Sequence, residues 1–267
     1  MARTKDPHGA SVKSWETRAR NAGGGGVVQS RGDFAQEMTG VGKARPEDVS
    51  KLIDITNDLG PGEISFEQFA GRADGPSDRS QEKVAAYLRE GLRDLDLPDA
   101  VLDGLAVIEI NLEGQMGAEL GEARDVKGFY TGEQRRIQLN ATYFAEQIYD
   151  ADRKPREAVS KTAAHEMGHH AHLSKLGAQA ALEWERLSRG GSLCRISSYG
   201  RTNTTEHFAE AFASYSRPGA GGGGFNRKAL KALEPKAFAF MERLWRDQSM
   251  WQPKGQSEYY WQRRGNL

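Results

Sequence analysis

The stretch Thr162-Ala163-Ala164-His165-Glu166-Met167-Gly168-His169-His170 decides how the rest of this chain is read. His165 and His169 are four residues apart, which on an α-helix sets them about 40° from each other around the axis. Both imidazoles can then reach one metal ion. Glu166 falls about 100° round from His165, where it flanks such an ion without ligating it and can take a proton from water held there. Two histidines leave a tetrahedral ion short of ligands, so a third protein ligand has to come from elsewhere. The five-residue pattern also occurs on helices that hold no metal. Ala163, Ala164 and Gly168 suit an ordinary helix as well as a closely packed site.

Outward from the motif, the helix opens at Pro155, where a missing amide donor does least harm, and runs through Val159 to about Leu176 before Gly177. His172 lies on nearly the same face as His165 but about 10 Å further along the axis, too far to share an ion. His170 and His172 are therefore read as structural or solvated. Lys175 occupies the place, six residues after His169, where an extended motif would carry a third histidine. The third ligand is then a carboxylate or His207. The candidate segment is Ile196-Ser197-Ser198-Tyr199-Gly200-Arg201-Thr202-Asn203-Thr204-Thr205-Glu206-His207-Phe208-Ala209-Glu210-Ala211-Phe212. Glu206 and Glu210 share one helical face, and Phe208, Ala211, Phe212 and Tyr215 give the same helix an apolar side. Blander roles exist for each. Asn203 and Glu206 fit a capping box, Glu210 a solvated helix charge, and Tyr199 a loop aromatic packed on the core.

The two motifs together, His165-Glu166-x-x-His169 and Tyr199-Gly-Arg-Thr-Asn-x-x-Glu206-x-Phe-Ala-Glu210-Ala-Phe, resemble the catalytic domain of the anthrax lethal factor-like zinc metallopeptidases. They are similar, more loosely, to the Pro-Pro endopeptidases of the same clan. The resemblance covers roughly residues 100–247, including a Pro235-Lys-Ala-Phe segment before the last helix. It is strong around the motifs and weak between them, and none is seen over residues 1–95. It implies an α+β fold of the zincin type (gluzincin), with a small twisted sheet packed on the active-site helix and a mainly helical C-terminal half. It also implies zinc (Zn2+) held by His165, His169 and Glu206, with Glu166 as general base. Tyr199 would be a phenol donor to the developing oxyanion, and Glu210 would orient a ligand imidazole from behind. No motif position departs from the family pattern. The implied activity is hydrolysis of a peptide bond in a protein or peptide substrate.

The rest of the chain sets bounds. Its 267 residues suffice for one large domain, or one with a smaller attachment, and a hydrophobic share of 37% argues for a packed core with polar, loose segments. Lys+Arg and Asp+Glu both number 37, so the basic excess of a general polyanion binder is missing and no nucleic-acid partner is indicated. The single cysteine, Cys194, excludes an intrachain disulfide. No apolar run approaches the roughly 20 residues of a membrane helix, and Met1 to Pro7 carries no secretory signature. Cytoplasmic, virion-associated and non-classically exported locations all fit.

The expected organisation is a polar, partly disordered arm over 1–45, with Gly23-Gly24-Gly25-Gly26 as a linker. A small helical region over 46–97, the metallopeptidase-like domain over 98–250 and a polar tail over 251–267 follow. Asp48 to Leu59 and Gln81 to Leu95 read as helical, and Ile64 to Ala70 as a further short segment. Leu105 to Ile110 reads as a strand. Gly128-Phe129-Tyr130-Thr131 and Arg136-Ile137-Gln138-Leu139 form a hairpin with Ile137 and Leu139 inward, whose edge could take an extended peptide. Tyr143 to Tyr149, Ala178 to Leu187 and Asn203 to Tyr215 read as helices, and Pro218 to Gly224 as a flexible loop. A closing helix runs from Leu230 to Trp245, with Pro235 in its first turn or kinking it. Two readings stand beside the enzyme: a phage or prophage head-associated structural or maturation protein, and a toxin effector delivered into another cell. Either would meet a phage particle or a secretion system through the N-terminal region.

Overall fold

The computed structural model describes residues 41–55, 79–111, 126–148, 155–219, 226–253 and 255. Most of the expected N-terminal arm, the segment Ile64 to Ala70, most of the loop before Asn226 and most of the tail lie outside the described residues. The architecture is α+β: a four-stranded mixed sheet with helices gathered on one face. Strand β1 (Ile53–Ile55) pairs in parallel with β2 (Val107–Asn111), β2 in parallel with β4 (Arg136–Asn140), and β4 antiparallel with β3 (Gly128–Thr131), giving the order β1-β2-β4-β3.

The sheet has two unlike faces because its strands alternate. Ile108 pairs with Ile137 and Ile110 with Leu139, and all four are fully buried. On the other face Glu109 pairs with Gln138, accepting from its Nε2 at 3.2 Å and from Arg136 Nη1 at 3.2 Å. The hairpin forms as expected, with a four-residue connection at Gly132 to Arg135. Arg135 closes it in the left-handed region (φ 51°).

Eight helices are described. They are α1 (Pro46–Ser50), α2 (Arg79–Gly91), α3 (Ala141–Ile148), α4 (Pro155–His170), α5 (Ala178–Ser188), α6 (Thr204–Tyr215), α7 (Arg227–Leu233) and α8 (Pro235–Leu244). Helix α4 is buried or half-buried from Glu157 onward, although it carries several polar residues. Val159, Ala163, Ala164 and Met167 are fully buried between the sheet, α2 and α6. Its last turn widens into a π-helical segment, Ala171–Lys175, where the Leu176 amide bonds the Ala171 carbonyl at 2.7 Å. This turn brings the buried Lys175 to Asp103 (2.5 Å) and Ser174 to the Tyr130 hydroxyl (2.9 Å). Helix α6 supplies Phe208 and Phe212, α5 Trp184, and α8 Phe240, as one aromatic cluster.

Two expectations need correction. The described part of the expected helix from Asp48 to Leu59 is not one helix. Helix α1 stops at Ser50, and Ile53–Ile55 is a strand, because Leu52 and its neighbours pair with the backbone of β2. Within 46–97, Val49, Val84 and Leu88 belong to the same buried cluster as Ile108 and Phe208. The closing helix is two helices. Glu234 breaks out of helical geometry (φ −138°, ψ 70°), and Pro235 takes the first turn of α8, where proline fits. Of the structural and solvated readings of His170 and His172, burial supports the structural one. His170 faces the Tyr130 hydroxyl at 2.8 Å and the Asp103 carbonyl at 3.3 Å, and burial pulls its pKa down to about 4. His172 stacks on Phe208.

Candidate metal centre

Two helices crossing at close range build the site. Gly168 makes the crossing possible. A methyl group placed on it would stand 2.8 Å from Ala209 Cα and 3.1 Å from Phe212 Cβ, inside ordinary carbon contact. One turn before Gly168 on α4 is His165, and one turn before Ala209 on α6 is Glu206, so close backbones bring these side chains together. Asn203 caps α6 by accepting the Glu206 amide at 2.8 Å. The capping expectation thus holds for the backbone of Glu206, while its carboxylate faces the histidines.

Three ligand-type atoms converge. His165 Nε2 lies 3.1 Å from Glu206 Oε2, His169 Nε2 lies 3.1 Å from His165 Nε2, and His169 Nε2 lies 3.3 Å from Glu206 Oε2. Tetrahedral ligands about 2.0–2.1 Å from a zinc ion stand roughly 3.3 Å from each other, so the triangle has the size such an ion needs. His165, His169 and Glu206 are accordingly one of two groups in the described residues able to hold a metal.

Around the triangle stand the other residues singled out from the sequence. Glu210, 5% exposed rather than solvated, places Oε1 3.0 Å from His165 Nδ1, behind the face that meets Glu206. Such a contact fixes the tautomer and rotation of the ring. The Tyr199 ring lies 5.8 Å from that of His165 and its hydroxyl bonds Glu206. Glu166 is buried under β3, where a methyl group on Gly128 would come within 3.2 Å of its Cγ. The first strand of the hairpin therefore runs directly over the general-base candidate. His207 is not with this group; it faces Glu234 at 2.6 Å and Trp184.

The electrostatics are those of crowded ligands. Burial alone would lower the His165 pKa, but hydrogen bonds to Glu206 and Glu210 raise it to about 10. Burial pushes the Glu206 carboxyl upward, and the adjacent His169 and His165 outweigh it, holding the group well below the usual carboxylate range. The Tyr199 phenol is pushed strongly up by burial and by the charges of Glu206 and Glu166, so it stays protonated and able to donate.

Sequence reasoning missed the second group able to hold a metal, Cys194, His207 and Glu234. These residues are far apart in sequence, and no spacing rule connects them. Among the described residues no helix is long and apolar enough to cross a membrane. Compared with known proteins, the chain matches no family model and no curated protein. Fold and site together define an α+β protein with a buried two-histidine, one-carboxylate cluster beneath a sheet edge.

Proposed function

We propose that the chain is a metal-dependent hydrolase of zincin architecture, and more particularly a zinc endopeptidase. The observation that carries this reading is the convergence of His165 Nε2, His169 Nε2 and Glu206 Oε2 within 3.3 Å of one another, with Glu210 behind one imidazole. The donor set is that of catalytic zinc sites with three protein ligands. When bound, zinc supplies Lewis-acid polarisation and lowers the pKa of water at its open position to about 7.

The remaining work falls to the chain's own residues. Glu166 takes the proton from the attacking water and returns it to the leaving amide nitrogen. The Tyr199 hydroxyl donates a hydrogen bond to the peptide carbonyl oxygen as negative charge develops there. Glu210 holds the His165 ring in its ligating orientation. Strand β3 has only β4 beside it among the described residues, so an extended peptide can add along its free edge, over Glu166. Incubating the zinc-loaded protein with a peptide library, with and without a chelator, tests the reading. Chelator-sensitive cleavage supports it, and an uncleaved library contradicts it.

A further inference from the structure

One residue along α6 from Glu206, the chain turns a second set of ligand-type side chains toward a different neighbourhood. Cys194, His207 and Glu234 each offer one ligand atom, and these atoms all lie within 4.8 Å of one another. The three residues are 1%, 0% and 7% exposed. His207 Nε2 is 2.6 Å from Glu234 Oε2, while its Nδ1 is buried with no hydrogen-bond partner. The other oxygen of Glu234 accepts from the amides of Arg195 (2.6 Å) and Ile196 (3.0 Å).

We propose that Cys194, His207 and Glu234 form a second metal site, structural in role, for a divalent ion of borderline softness such as zinc. The ligand types suit that ion, one thiolate, one imidazole and one carboxylate, with water completing its tetrahedron. Charge balance favours it as well. Thiolate and carboxylate together cancel the two positive charges, so the loaded site is neutral in a buried place, where net charge is costly. Binding forms the sulfur–metal bond and releases the Cys194 proton to solvent, while His207 ligates as the neutral ring. The ion replaces the hydrogen bond between His207 and Glu234.

The placement explains what such a site does. The turn from Cys194 to Ser198 leads directly into Tyr199. Gly200 packs against the Cys194 sulfur so closely that a methyl group there would collide with it. Glu234 belongs to the junction of α7 and α8, and His207 to α6. A metal shared by the three pins the Tyr199 turn to both. This proposal does not rest on the peptidase reading.

The chain has a single cysteine, so any sulfur–metal signal reports on Cys194 alone. The full-length protein, stripped and reloaded with cobalt(II), should show a near-ultraviolet thiolate-to-cobalt charge-transfer band. The band should persist in His169→Ala and vanish in both Cys194→Ala and Cys194→Ser. Zinc content should fall by one ion per chain in Cys194→Ala and, separately, by one ion in His169→Ala. Wild-type protein that is folded by circular dichroism but shows no band under excess cobalt overturns the proposal, whatever the variants do. So does a folded Cys194→Ala that holds as much zinc as wild type. Because the band arises from sulfur, its presence is independent of whether the His165 site binds metal.

Discussion

Replacing Gly168 by Ala tests whether the helix crossing sets the metal geometry. The added methyl would sit 2.8 Å from Ala209 Cα, 3.1 Å from Phe212 Cβ and 3.3 Å from the Ala209 carbonyl oxygen. Ordinary carbon contacts are about 3.5–4.0 Å, so α4 and α6 must part by roughly 0.7–1.2 Å. The neighbours are backbone and Cβ atoms, which cannot swing aside. The parting occurs one turn from both His165 and Glu206, so the 3.1 and 3.3 Å ligand separations widen by a comparable amount. Overpacking of this kind costs about 1–3 kcal/mol. Alanine's better helix propensity returns about 1 kcal/mol, but equally in the metal-free and metal-loaded states. The metal-free protein can relax by opening, whereas closing around an ion restores the clash. Zinc affinity should therefore fall by about 10- to 100-fold, since about 1.4 kcal/mol is tenfold. Competition with a chromophoric chelator measures it. Gly219→Ala is the control, because nothing among the described residues lies within 4 Å of a methyl group there. An affinity for Gly168→Ala within twofold of wild type refutes the claim that this crossing sets the site.

Further outcomes follow from individual side chains. Glu206→Ala should lose the metal at the His165 site, whereas Glu210→Ala should weaken it by only about 10- to 100-fold; a chelator titration ranks them, and the reverse order reassigns the third ligand. Tyr199→Phe should keep its zinc and its KM while kcat falls about 100- to 1000-fold, as steady-state kinetics on a cleaved peptide would register. Asp96 supplies the pH dependence. Burial raises its pKa, but Arg227 (2.8 Å) and Lys43 (3.2 Å) outweigh burial and hold it below the ordinary value. A depressed carboxyl stabilises the fold above its unfolded pKa and ceases to do so as pH falls through the folded one. Urea midpoints taken between about pH 6 and pH 3 should therefore fall less steeply for Asp96→Asn than for wild type.

What could be read from the sequence was what depends on neighbours along the chain. The helix around His165, the hairpin with Ile137 and Leu139 inward, and the Asn203 cap are all local patterns, and each stands in the structure. The pairing of Glu206 with the two histidines was legible only through its motif, because 41 residues separate it from His165. Strand β1 was not legible. Leu52, Ile53 and Ile55 fit helical and strand spacing alike, and pairing with β2, far along the chain, decides between them. The break at Glu234 was hidden by a continuous apolar pattern across Leu230, Ala237 and Phe240. Its cause is tertiary, since the Glu234 carboxylate is held by His207 and by the amides of Arg195 and Ile196. The burial of Lys175 beside Asp103 follows from a widened helical turn that no local pattern marks.

We propose that the His165–His169–Glu206 cluster works with Glu166 to hydrolyse peptide bonds. The most direct measurement compares wild type and Glu166→Gln, matched for zinc content, on the same peptide library. The variant keeps the size of the side chain but cannot accept a proton. The account predicts that wild type cleaves, and that the variant, still holding its zinc, is slower by about 100-fold or more. Equal cleavage by both proteins, or none by zinc-loaded wild type, would contradict it.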